Sequence, residues 1–112
     1  MAGKFEISKS KSDKFMFNLK AGNGQIILTS QTYAAKPSAL QGVDSVKANA
    51  AIDERYERAT SASNQPYFNL KGGNGQVIGR SEMYSSVAAM ENGIASVKAN
   101  GPDAPVVDLT AV

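Results

Sequence analysis

The chain has 112 residues and a net charge of +2, with an apolar share of 42% that suits a single domain with its own core. It contains no histidine, cysteine or tryptophan. That excludes disulfides, thiolate nucleophiles, iron–sulfur clusters, cysteine zinc sites and imidazole acid–base chemistry, and so small a charge gives no electrostatic ground for a nucleic-acid partner.

The first predicted element is a strand at Lys4–Ile7, where apolar and polar residues alternate with period two. Ser8–Asp13 is small, polar and charged, and reads as a loop. Phe15–Lys20 alternates again, with Phe15, Phe17 and Leu19 on one face. Gly22-Asn23-Gly24 signals a hairpin, because asparagine and glycine tolerate the positive φ of a tight turn. The return strand is Gln25–Ser30. A two-residue turn pairs Leu19 with Leu28, and a three-residue loop pairs it with Ile27. A later copy of this hairpin has Gly79 in the place of Leu28, and glycine is a poor core residue. The expectation is therefore Ile27 and Ile78 inward, with a bulged three-residue loop.

A helix follows. Pro37 suits a first turn, and Ala39, Val43, Val46 and Ala50 form a buried stripe. Gly42 in mid-helix costs about 1 kcal/mol against alanine, which points to close approach of the helix to the sheet.

The same series then recurs at an offset of 51. Residues 17–50 and 68–101 share 17 of 34 positions without a gap. The second helix carries Met90, Ile94 and Val97 on its stripe, Ser85 or Ser86 as N-cap, and Asn100-Gly101-Pro102 at its end, read as glycine in the left-handed region followed by proline. Lys4-Phe5-Glu6-Ile7 matches Arg55-Tyr56-Glu57-Arg58, and 51 residues further lies Val106-Val107-Asp108-Leu109. The chain thus reads β-β-β-α-β-β-β-α-β, with repeat one at 1–51, repeat two at 52–102, and a closing strand and tail at 103–112. Such a strand would cover a sheet edge.

The run Phe17, Leu19, Lys20, Asn23, Gly24, Ile27, Ser30, Tyr33, Gly42, Val43, Ser45, Val46, Lys47 and Asn49, with its second copy from Phe68 to Asn100, resembles the YegP-like family. These are small bacterial proteins built of one or two domains of about 50 residues. Repeat one departs from the pattern in having Ala34-Ala35 before its helix, which leaves that helix without a hydroxyl cap. The resemblance implies an α+β fold: two β3-α-β repeats related by a pseudo-twofold axis, joined in a single, mainly antiparallel sheet with both helices on one face and the last strands exchanged. The family is known as a domain of unknown function, so it supplies no catalytic or ligand residues.

The residues themselves offer little chemistry. The Gly-Asn-Gly turns lie between strands, whereas a phosphate loop would feed a helix N-terminus. Ser8-Lys9-Ser10-Lys11 holds a Ser-x-x-Lys spacing, but in a polar loop with no second copy. Asp53, Glu54 and Glu57 are flanked by Arg55 and Arg58, which favours ion pairs over a metal site. Tyr33 and Tyr84 read as pins at the strand-to-helix corners, and Lys47 and Lys98 complement the helix dipoles. What remains is the outer face of the sheet. If Phe17, Leu19, Phe68 and Leu70 face the helices, then Asn18, Lys20, Asn69 and Lys71 face away, joined by Tyr67 and Arg80, with Met16, Lys4 and Arg55 as further members. This is the candidate binding surface. No catalytic, cofactor or metal residue is assigned. The expected function is a non-catalytic binding or protein-interaction module, with single-stranded nucleic-acid binding on the open sheet as the alternative and an enzyme ranked last. The start Met1–Phe5 carries no apolar run of the signal-peptide kind and no stretch nears 18 apolar residues. A cytoplasmic monomer with no membrane association and no cofactor is expected, its partner a protein or single-stranded nucleic acid.

Overall fold

The computed structural model describes residues 3–110. Three strands, β1 (Lys4–Lys9), β2 (Phe15–Lys20) and β3 (Ile26–Thr29), lead into helix α1 (Lys36–Asn49). The series repeats as β4 (Tyr56–Thr60), β5 (Pro66–Lys71), β6 (Val77–Arg80) and α2 (Val87–Asn100), and β7 (Val106–Asp108) closes it. One seven-stranded sheet has the order β4-β5-β6-β3-β2-β1-β7. Both helices lie on the same face, and each contacts strands of the other repeat as well as its own. Among the described residues the two meanders pair through β3 and β6, at the antiparallel pair Thr29↔Arg80.

Each repeat buries the same aromatic triad. Phe5 meets Phe17 edge-on at 5.9 Å and Tyr33 stacks on Phe17 at 6.4 Å. Tyr56, Phe68 and Tyr84 repeat this at 5.6 Å and 6.4 Å. Such pairs contribute about 0.5–1.5 kcal/mol each beyond the area they bury. The mid-helix glycines belong to this triad. A Cβ on Gly42 would lie 2.5 Å from the Tyr33 hydroxyl oxygen and 2.9 Å from Phe17, and one on Gly93 would overlap Tyr84. The close approach expected at these glycines is therefore to the corner tyrosine as well as to the sheet.

The hairpin register corrects the sequence expectation in one respect. The loop does have three residues: Ala21 and Gln25 close it, and Gly24 has φ +85. A second irregularity between Leu19 and Lys20 then shifts the register, so that Leu19 faces Leu28, with Lys20 opposite Ile26. The bulge turns neighbouring side chains to the same side, and Ile27 and Leu28 are both buried. Leu70 faces Gly79 in the same way. Gly79 is a core position without a side chain because Leu28 fills its space: a Cβ there would lie 2.7 Å from Leu28 Cγ.

Gly101 is the second correction. Its φ of −58 and ψ of −50 are right-handed, and a 3-10 turn at Gly101–Asp103 continues the helix. Glycine is needed there because a Cβ would sit 2.8 Å from the Cβ of Ala50, where the two helix ends meet. The N-termini follow the sequence. Ser86 accepts a hydrogen bond from the Ala89 amide, whereas Ala35 caps α1 with no side-chain bond.

The strand exchange runs one way among the described residues. β7 pairs in parallel with β1, and β4 is the opposite edge of the sheet.

Candidate functional site

Strand pairing places one row of residues across the whole outer face: Glu57, Asn69, Arg80, Thr29, Asn18, Glu6 and Val107, each opposite the next. Period-two alternation sets all of them on the side away from the helices. Thr29 and Arg80, equivalent positions of the two repeats, form the central pair, so the pseudo-twofold axis passes between them.

The six candidate residues lie on this face, but the two halves differ. In repeat two they form one connected network. Asn69 is only 5% exposed. Its amide donates to Glu57 Oε1 at 3.0 Å, and its carbonyl accepts from Arg80 Nε at 3.1 Å. Lys71 reaches Glu57 at 3.1 Å. The Arg80 guanidinium lies over the Tyr67 ring, 5.4 Å from its centre, a cation–π contact that also fixes the plane of the group. In repeat one Thr29 replaces Arg80 and Met16 replaces Tyr67. There Glu6 binds Lys20 at 2.9 Å and Lys4 at 3.2 Å. Arg55, offered as a further member of the face, turns away: its Nε donates to Asn49 Oδ1 at the end of α1.

These pairings set the charges. Lys20 and Lys4 hold the Glu6 carboxyl below its ordinary value. The Asn69 amide, then Lys71, does the same for Glu57. Off this face, Lys98 and Arg58 lower Asp53, Arg58 lowers Glu91, and Lys36 with Thr110 brings Asp108 down to about 2. The dense acidic segment thus forms ion pairs. Among the described residues no group of acidic side chains is placed to hold a metal. Three outer-face lysines are neutralised, whereas Arg80 enters no ion pair among the described residues. Arg80 borders an open cleft of about 590 Å³ at the β3–β6 junction, lined also by Thr29, Gln31, Val77, Gly79 and Glu82. The Gln31 side-chain amide spans the junction to the Val77 carbonyl. Sequence reading missed this cleft, which arises where β3 and β6 share a single pair.

Several residues present in both copies prove structural. Ser30 and Ser81 accept from the Phe17 and Phe68 amides and donate to the next carbonyl. Asn100 takes the Gly3 amide and so clasps the start of β1, as Asn49 clasps Arg55 before β4. Tyr33 and Tyr84 have their hydroxyl pKa raised, chiefly by burial. Their pin role stands on the stacked rings.

A two-repeat α+β sheet with both helices on one face defines a class of small duplicated folds, and the chain falls within it. The model of the family described as "Domain of unknown function (DUF1508)" matches twice, at residues 10–57 and 61–108. The chain belongs to this family. It is 51% identical over 110 residues to a UPF0339 protein of Shewanella oneidensis, and 53% identical over 110 residues to the UPF0339 protein YegP of Escherichia coli K12. Each alignment covers 98% of this chain and 100% of the relative. Two solution NMR structures share the fold. The Shewanella oneidensis UPF0339 structure has a TM-score of 0.91 at 50% identity, covering 97% of this chain and 92% of that one. The Escherichia coli yegP structure, titled a protein of unknown function, has a TM-score of 0.93 at 52% identity, covering 100% and 97%.

Proposed function

We propose that the chain is a non-catalytic protein-interaction module whose contact surface is the outer sheet face around Arg80. One observation carries this reading. Arg80 lies over Tyr67 and is hydrogen-bonded through Nε, and among the described residues its two Nη groups have no partner, which leaves them to meet a carboxylate in the bidentate manner. The partner that fits is a protein surface presenting an acidic side chain beside an apolar one. Every carboxylate with a clearly displaced pKa is displaced downward by hydrogen bonds and cations. Such groups are ion-pair members, and a general acid would need the opposite shift. The nucleic-acid alternative is weakened by Glu6 and Glu57, which neutralise the lysines that would track a phosphate backbone.

The test is an NMR titration of the labelled protein with an acidic, aromatic-containing peptide and, separately, with a single-stranded oligonucleotide at low salt. Peptide-induced shifts around Tyr67, Arg80 and the cleft, lost in Arg80→Ala, are expected. Salt-sensitive shifts from the oligonucleotide alone would transfer the face to nucleic acid. Silence with both would end the reading.

A further inference from the structure

The two outer edges of the sheet are built from equivalent strands and finished differently. On β1, the Phe5 amide donates to the Pro105 carbonyl at 2.8 Å and the Leu109 amide donates to the Ile7 carbonyl at 2.9 Å, which seats β7 as a parallel strand. Lys36 at the start of α1 locks it by reaching Asp108 at 2.7 Å. At the equivalent positions on the other side stand Tyr56, Arg58 and Val87. The pairing of β4 with β5 reproduces that of β1 with β2, Arg58 facing Phe68 as Ile7 faces Phe17. The Arg58 carbonyl therefore points outward, in the place of the one that receives Leu109. Between β4 and the first turns of α2 lies a groove of about 250 Å³, lined by Arg58, Thr60, Pro66, Val87, Met90 and Glu91. Val87 is 63% exposed at the position where Lys36 meets Asp108.

We propose that this β4 edge and its groove form a strand-addition site, which takes an extended apolar segment of a partner protein running parallel to β4 as β7 runs on β1. Strand addition obtains its affinity from main-chain hydrogen bonds and its specificity from the pockets beside them. The template is within the molecule. The first rung is already closed, because the Tyr56 amide donates to the Asp53 carbonyl of a 3-10 turn at Asp53–Arg55. The incoming segment therefore pairs from Arg58 onward. The pocket asks for an apolar side chain in the place of Asp108, since the lysine that held the acid is now a valine. The neighbouring charges are matched among themselves: Arg58 binds Glu91 at 2.6 Å and Asp53 at 3.2 Å, and Lys98 binds Asp53 at 2.8 Å. A second copy fits less well. Its β7 is engaged on its own β1, and antiparallel β4–β4 pairing centred on Arg58 sets two arginines opposite each other.

The test uses the full chain and two capped heptapeptides: residues 104–110 as they stand, and the same with D108V. The valine peptide is expected to shift the amides of 57–60 and 87–91 and to slow exchange at Arg58. It should bind about fivefold tighter than the aspartate peptide, roughly the worth of one methylene buried in the groove. Val87→Lys, a surface change that rebuilds the Lys36 seat, should invert that preference. The proposal is overturned by the absence of shifts at β4 and α2 with millimolar peptide, by a preference that Val87→Lys leaves unchanged, by shifts confined to β1 from displaced β7, or by peptide-insensitive self-association through β4.

Discussion

The two repeats agree where each builds itself and differ where they touch. Within a repeat the aromatic triad, the corner tyrosine above a glycine and the bonding serine all recur at an offset of 51. On the pseudo-twofold axis, three pairs of equivalent positions lie against each other: Thr29 with Arg80, Leu28 with Gly79, and Ala50 with Gly101. No pair keeps the same residue twice. Two arginines opposite one another would repel. Two leucines would compete for one volume, and the helix ends leave room for one methyl. A duplicated module that packs on itself across an axis must break its symmetry there, because a close-packed interior has no spare volume for a second copy of a large side chain.

The Leu28–Gly79 contact offers the largest effect. Leu28→Ala is expected to cost roughly 2–5 kcal/mol by opening a cavity, and Gly79→Leu roughly 1–3 kcal/mol or more by overpacking. Combining Leu28→Ala with Gly79→Leu should recover a large part of the summed loss, because the two sites share one space. Denaturant unfolding of the four proteins measures the coupling, and strict additivity would show that the axis is not shared.

Gly101 sharpens the same point with an opposite local preference. Its backbone is right-handed, so helix propensity alone would have alanine stabilise it by about 1 kcal/mol. The Ala50 methyl reverses the sign. Gly101→Ala should destabilise, and adding Ala50→Gly should restore stability, as read by thermal unfolding.

The smallest effect separates the edges. Asp108 is lowered to about 2 by Lys36 and Thr110. A carboxyl lowered on folding contributes stability that is complete above its unfolded value and is lost as the pH falls through the folded one. The amides of β7 and its β1 partners should therefore begin to lose protection, relative to their intrinsic exchange rates, below about pH 4. Asp108→Asn should remove the Asp108 share of that pH dependence at β7 and leave the acid response of β4, set by Asp53, Glu57 and Glu91, unchanged. An acid response of β7 that Asp108→Asn leaves in place would contradict the assignment.

Much of this architecture was legible in the sequence, since repeat spacing, period-two strands, the Gly-Asn-Gly loop, the apolar helix stripes and the closing strand all depend on local steric and hydrophobic rules. The candidate face was legible as a set of alternating residues, Asn18 and Lys20 against Asn69 and Lys71. That Arg80 is the arginine left without an acid on this face, and that a cleft opens beside it, were not, because both follow from which strands become neighbours. The errors share one cause. A glycine viewed alone suggests backbone freedom, which discounts Gly79 as a core residue and gives Gly101 a left-handed turn. Each is explained by a side chain from the other repeat: Leu28 in one case, Ala50 in the other.

By itself the sequence determined the two-copy plan and the inward residues of each copy, because hydrophobic periodicity and turn chemistry act over a few residues. The tertiary structure alone decided where the copies meet, which edge β7 covers and which charges stay unpaired. Those outcomes rest on contacts about fifty residues apart, where volume and charge are shared between positions that no local pattern connects.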